Sequence, residues 1–250
     1  MTGFSKIFGT CAVSIMALST AAQAQDRFEH DWEGFYVGAF VAGSFFDVEL
    51  SDLTDTFTND APAINEIVAA GGINAGYNWI PRDDNLMLGV ELEIQGGHTT
   101  SNLVRFNSDG TDGQLFENTI NSITSLKGRV GMMNDNLMVY ISGGPAWASI
   151  DYTATDLDPN LNSTCDTNGI ICAEASEDLL GLNVGVGMEY AIRESTTLRF
   201  EITQIELPTA SAPVLNGGDT PQCSVASADD CTGFFGSSMT QIQFGVNYRF

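Results

Sequence analysis

The chain has 250 residues, 32 acidic and 9 basic, for a formal net charge of −23, with 43% hydrophobic residues. So few cations exclude a phosphate-tracking surface, so nucleic acid is not an expected partner. No run of 18 apolar residues follows the N-terminal region, so no transmembrane helix is expected.

Residues 1–24 read as a secretory signal peptide. Lys6 is the positive start, an apolar stretch follows from Ile7, and Ala22-Gln23-Ala24 is a small-x-small cleavage pattern. Cleavage there removes Lys6 and no acid, leaving 8 cations against 32 carboxylates. Residues 25–33 are expected to form a short periplasmic segment, and 34–250 a single β-barrel.

Eight strands are expected in chain order. The first covers Gly34–Leu50 and the second Glu66–Ile80, followed by a turn at Pro81–Asn85. The third, Leu86–Gly97, alternates Leu86, Leu88, Val90, Leu92 and Ile94 against Met87, Gly89, Glu91, Glu93 and Gln95. Such period-two alternation marks a strand with two unlike faces. The fourth, Asn118–Met133, sets Ile120, Leu126 and Val130 against Asn121, Lys127 and Arg129, and Asn134–Asn136 turns. The fifth, Leu137–Tyr152, has no clear facing and carries Pro145, which suits a bulge or kink. The sixth, Asp178–Ile192, sets Leu182, Val184, Val186, Met188 and Tyr190 against Asn183, Gly185, Gly187 and Glu189; Arg193–Ser195 turns. The seventh, Thr196–Leu207, sets Leu198, Phe200 and Ile202 against Arg199, Glu201 and Thr203. The last ends on Ile242, Phe244, Val246, Tyr248 and Phe250, alternating with Gln241, Gln243, Gly245, Asn247 and Arg249.

Three short turns alternate with four long connections, near 51–65, 98–117, 153–177 and 208–237. Short turns at one rim and long loops at the other are the arrangement of an eight-stranded antiparallel up-and-down transmembrane barrel, with periplasmic turns and extracellular loops. The charges select the solvent. Four cations (Lys127, Arg129, Arg199, Arg249) and four carboxylates (Glu91, Glu93, Glu189, Glu201) fall on the second, polar faces of strands. An unpaired buried ion costs several kcal/mol, so an interior ion-pair network of four against four is expected. Within it, Glu189 should face Arg199, and Glu91 and Glu93 should lie level with Arg129 and Lys127. Gly89, Gly131, Gly185, Gly187 and Gly245 leave room for these side chains. Tyr77, Trp79, Tyr190, Tyr248 and Phe250 lie near strand ends, where an aromatic girdle would sit. A soluble sandwich or lipocalin-like barrel fits interior Arg and Glu poorly.

Four cysteines remain after cleavage, and export implies an oxidising compartment. Three pairings are open; Cys165–Cys172 and Cys223–Cys231, each closing a short loop, are favoured. No spacing matches a metal site or a cofactor fingerprint. His30 and His98 are the only histidines, and neither has the neighbours of a nucleophile and base, so no catalytic residue is expected. The stretch from Asp151 to Asp178 carries seven carboxylates and no Lys or Arg. It suits divalent cations that bridge to lipopolysaccharide.

The opening "WEGFYVGAFVAG" (Trp32–Gly43) and the closing "FGVNYRF" resemble the small outer-membrane β-barrel proteins of Gram-negative bacteria, the OmpA-like, opacity-type surface antigens of the "porin family". The resemblance spans nearly the whole exported chain. It implies an integral outer-membrane location, with a structural and surface-interaction role. It also implies that Ile242, Phe244, Val246, Tyr248 and Phe250 form the signal read by the barrel-assembly machinery. With the interior filled by ion pairs, an open pore is not expected. A narrow channel for small solutes is the alternative, and a lipid A-modifying enzyme the remote one.

Overall fold

In the computed structural model the described residues are 30–52, 63–64, 67–81, 85–106, 113–157, 171–216, 220–221 and 232–250. The expected signal peptide, Cys165, Cys223 and Cys231 lie outside them, as do the side chains of His98 and Cys172.

Eight long strands follow one another: β1 (Gly34–Asp52), β2 (Ile67–Trp79), β3 (Leu86–Phe106), β4 (Gly113–Asn134), β5 (Leu137–Leu157), β6 (Ile171–Arg193), β7 (Thr196–Asn216) and β8 (Thr232–Arg249). Each pairs antiparallel with the next, and β8 pairs with β1, which closes the sheet. The two-residue segments Ala63–Ile64 and Thr220–Pro221 pair onto β1 and β7.

The register fixes the barrel's size. Starting at Phe35 and stepping through directly paired residues gives Tyr77, Val90, Gly128, Gly143, Val184, Gln204 and Thr240, and returns to β1 at Phe45. The path closes ten residues above its start, a shear of 10 for eight strands. At about 3.3 Å per residue and 4.8 Å between strands, this tilts the strands by about 40°. Phe35 and Phe45 both face outward, and at that tilt they are about 25 Å apart along the axis, the height of a hydrocarbon-facing belt.

The two faces separate as the alternation requires. Outward rows expose Val37 and Val41 on β1, Val90 and Leu92 on β3, Val139 and Ile141 on β5, Val184 and Val186 on β6, and Phe244 and Val246 on β8. The facing of β1 and β5, open from the sequence, is thereby settled: Tyr36 and Phe40 point inward on β1, Met138 and Tyr140 on β5. Pro145 is exposed on the outer face where β5 loses its pairing to β4, and it donates no hydrogen bond there.

Ile120 corrects the expected facing of β4. Strict alternation sets it outward with Leu126 and Val130, yet it is buried inside. The pairing of β4 with β5 shifts register between Ile120 and Ser122. One extra residue in a strand reverses the facing beyond it.

The strands also run further than the apolar alternation suggests. β3 continues to Phe106 and β4 begins at Gly113, so most of the connection expected at 98–117 is paired strand. β6 begins at Ile171 and β7 reaches Asn216, which shortens the other connections likewise. Alternation stops where the outer solvent turns from hydrocarbon to water. Backbone pairing does not stop there: Thr99 and Thr100 pair with Ile120 and Thr119.

The turns at the opposite end are short. Two residues connect β4 to β5, with Asp135 at φ 41°, and two connect β6 to β7. Asp tolerates the left-handed region better than most residues. This turn end also carries Phe250 and the segment leading into β1.

Candidate functional site: the filled lumen

The lumen is layered from the turn end to the loop end. The N-terminal segment enters the mouth at the turn end instead of standing free below it. Trp32, 4% exposed, packs on Met87, Met138, Tyr140 and Ala191. Its indole Nε1 donates to the carbonyl of Asp135 at 3.1 Å. His30 packs edge-on against Trp32, and its Nδ1 lies 3.2 Å from the Arg193 carbonyl. Burial and the neighbouring Arg249 charge hold the His30 pKa below its ordinary value. Residues 30–33 thus latch two turns together. Sequence reasoning missed this role; a lone Trp between charged residues just ahead of β1 was the available signal.

Above this cork lies the ion cluster. The Lys127 ammonium sits 3.2 Å from Glu91, 2.8 Å from Glu93 and 3.2 Å from Glu201. Arg199 reaches Glu93 at 3.0 Å and Glu91 at 3.2 Å and pairs with Glu201. Arg129 pairs with Glu189, and with Glu91 at 3.3 Å. Neutral donors complete the carboxylates' shells. Tyr36 donates to Glu91 at 2.8 Å, Tyr140 and Ser142 to Glu201 at 3.0 and 2.6 Å, Thr197 to Glu189 at 3.0 Å, and Gln243 to Glu93 at 3.0 Å. Asn74 donates to Glu91 at 3.2 Å. Every one of the eight strands contributes a group. Desolvated ions are tolerable only with this density of partners.

Room for the cluster comes from small residues on neighbouring strands. A Cβ at Gly76 would run into the Tyr36 hydroxyl, and one at Gly187 into the Tyr140 ring. The Arg129 guanidinium stacks 3.9 Å above the Tyr140 ring, a cation–π contact.

One expectation about the network holds in register though not in ion pairing, and one needs correction. Glu189 does lie opposite Arg199 in the register, but its ion pair is with Arg129. Arg199 reaches further up the barrel to the other three carboxylates, because direct cross-strand neighbours are not the only partners inside a closed cylinder. Arg249 does not join the cluster. It donates to the Trp32 carbonyl and lies 5.3 Å from the Tyr36 ring and 5.7 Å from the Trp32 ring. The described cluster is therefore three cations against four carboxylates, and Arg249 completes the charge balance from the mouth.

Oxygens of Glu91, Glu93 and Glu201 lie within 4.8 Å of one another, a spacing that could hold a metal ion. Lys127 and Arg199 already occupy the space between them.

Beyond the ions lies an amide and hydroxyl layer. Gln241 donates to Ser44 and to Gln95, each at 3.0 Å, and Asn183 to Ser125 at 3.1 Å. Further toward the loop end the interior turns apolar, with Ile123, Ala148, Ile150, Ile205 and Met239 all buried.

A polar, side-chain-filled lumen inside an apolar belt is the construction of a membrane-spanning barrel. The model of the outer membrane protein beta-barrel domain matches residues 10–250. The chain belongs to that family. The turn end of this outer-membrane barrel is accordingly periplasmic and the loop end extracellular. Two curated relatives, the 31 kDa outer-membrane immunogenic proteins of Brucella melitensis biotype 1 and Brucella suis biovar 1, are each 26% identical over 216 residues. The match spans 83% of this chain and 85% of each relative. Among solved structures, a major outer membrane protein from Thermus thermophilus aligns with 14% identity and TM-score 0.48, covering 87% of this chain and all of that one. Neisserial surface protein A aligns with 14% identity and TM-score 0.41, covering 87% and 97%.

The outward residues of the final strand are Phe244, Val246, Tyr248 and Phe250, with Ile242 half-buried at the same face. Tyr248 and Phe250 stack edge-on at 5.3 Å. With Phe35, Trp79 and Tyr190 they ring the periplasmic rim.

Proposed function

We propose that this protein is a plugged barrel with a structural and surface-interaction role, and that it does not conduct solutes. The observation that carries this reading is the ion cluster, which draws a group from every strand and whose charged side chains are all buried. An eight-stranded barrel leaves an interior just wide enough for side chains, and here tyrosine, arginine and glutamate supply the volume. The belt holds the barrel in lipid and presents strands that project beyond it to the medium. A surface position of this kind suits the immunogenic character named for the Brucella relatives. The exposed Glu174, Glu177 and Asp178 on the projecting part of β6 suit divalent cations shared with lipopolysaccharide. The outward row ending at Phe250 suits recognition by the barrel-assembly machinery. No catalytic role is part of this reading.

Planar-bilayer recording on the refolded full-length protein tests it. No stable openings are expected, and reproducible single-channel steps whose size changes in Arg199→Ala or Glu189→Ala would replace this reading with that of a narrow channel.

A further inference from the structure

Seven of the eight neighbouring strand pairs are joined by the chain itself, three through periplasmic turns and four through extracellular connections. The eighth pair, β8 with β1, is the seam, and the chain joins it at neither end. A tether keeps two partners at high effective concentration, so an opened rung closes again readily. The seam lacks that help, and an untethered strand end is where local opening is least costly.

Residues 30–33 lie against the foot of this seam from the inside. They belong to no strand. Gly34, at φ 113°, a backbone conformation that favours glycine, turns the chain from β1 into the mouth. There the segment meets β8. Arg249, the last residue of β8, pairs with Tyr36 across the seam and is buried. Its guanidinium donates to the Trp32 carbonyl and lies 5.7 Å from the Trp32 ring and 5.3 Å from the Tyr36 ring. Contacts of a cation with aromatic faces strengthen when desolvated. The segment is also anchored on the far wall. Trp32 donates to the Asp135 carbonyl in the β4–β5 turn at 3.1 Å and packs on Met87 of β3, Met138 of β5 and Ala191 of β6. His30 Nδ1 lies 3.2 Å from the Arg193 carbonyl at the end of β6. In the strand order the β4–β5 pair stands opposite the seam. The end of β8 is thus held to the segment that leads into β1, and that segment is held to the wall across the barrel.

We propose that residues 30–33 are a strap that locks the β8–β1 seam at its periplasmic foot, in place of the turn that this strand pair lacks. Trp32 and Arg249 are the two halves of the lock. Each acts as a positioning residue: Trp32 fixes the strap on the far wall, and Arg249 fixes the end of β8 on the strap. Without the lock, the rungs Tyr36–Arg249 and Val37–Tyr248 are the first of the seam to open. The lock stands whether or not the lumen conducts, so it does not rest on the plugged reading.

Amide hydrogen exchange, followed by NMR on the refolded full-length protein in detergent micelles, tests it, because two adjacent amides report on different strand pairs. The Phe250 amide donates across the seam to the Phe35 carbonyl at 3.1 Å, and the Arg249 amide donates away from it, to the Ser195 carbonyl at 2.8 Å. In Trp32→Ala the Phe250 amide should exchange at least about tenfold faster. The Arg249 amide, and the upper seam where Ser44 pairs with Gln241, should keep their wild-type rates. Arg249→Met should release the Phe250 amide in the same way. The double variant should be no faster than the faster single one, because either change opens the same lock. Unchanged Phe250 exchange in the single variants would overturn the proposal. Equal acceleration of the amides at 249 and 250 would overturn it too, since that is a strand end loosened as a whole. If Trp32→Ala does not refold, Arg249→Met decides the matter by the same two amides.

Discussion

The outward rows and the inward rows of this barrel are made by the same strands, yet they obey different rules. Outward positions such as Val90, Val186 and Val246 need only be apolar, because lipid accommodates any shape. Inward positions such as Glu91, Arg199 and Glu201 need particular partners at particular distances, contributed by strands more than a hundred residues apart in the chain. One face is therefore additive and tolerant, and the other is coupled and intolerant.

The comparison breaks most visibly inside. Arg199→Ala removes one of the cations that hold Glu91, Glu93 and Glu201. It should cost about 3–5 kcal/mol, the penalty for stranding buried charge, read as a lower urea midpoint or loss of the compact, heat-modifiable gel band. If this variant folds with unchanged stability, the inward face is no more coupled than the outward one. On the outward face, Val186→Arg should cost about 2–4 kcal/mol near the bilayer midplane, whereas Val186→Leu should be neutral in the same assay. Glu189→Gln keeps the shape but removes the charge that faces Arg129. A smaller loss of about 1–3 kcal/mol is expected, and coupling to Arg129→Met in a double-mutant cycle would sharpen the assignment of that pair over Glu189 with Arg199.

The smallest effect concerns the cork. His30 is held neutral below its ordinary pKa of 6.5 by burial and Arg249, against the opposing pull of Glu189 and of the backbone at Arg193 and Glu194. A base whose pKa falls on folding disfavours protonation in the folded state. Docking of residues 30–33 is therefore strongest above pH 6.5 and weakens as the pH falls through the lowered value. Trp32 fluorescence followed from pH 8 to 4 should report this loosening; His30→Gln should flatten the profile, and an unchanged profile would remove His30 from the cork's stability.

The sequence made the outward face readable because period-two alternation needs only one chain segment at a time. The positions of Leu92, Val186 and Phe244 follow from it directly, as do the inward positions of Glu91, Lys127, Glu189 and Arg199. Partner choice did not follow. Which carboxylate meets Arg129 depends on side-chain length and on the barrel's curvature, so Arg199 faces Glu189 across β6 and β7 as expected while the ion pair of Glu189 is with Arg129. Ile120 was misplaced because a one-residue bulge leaves no compositional mark in Thr119-Ile120-Asn121. The reach of the strands into the medium was hidden for a different reason: once the outer face meets water its apolar row ends, while backbone pairing persists. Trp32 and Arg249 were legible as residue types, but their meeting depends on the chain's two ends coming together.

That every strand donates a group to one cluster has a consequence for how the chain comes to its native state. Tyr36 is among the first barrel residues to emerge from synthesis and Gln243 among the last, and neither finds its place until the cylinder shuts. Intermediates with seven strands would carry naked charge and two raw edges, so they gain nothing by waiting. Acquisition of structure should accordingly be abrupt and slow, dominated by contacts distant in sequence, with few populated stopping points between the open chain and the shut one.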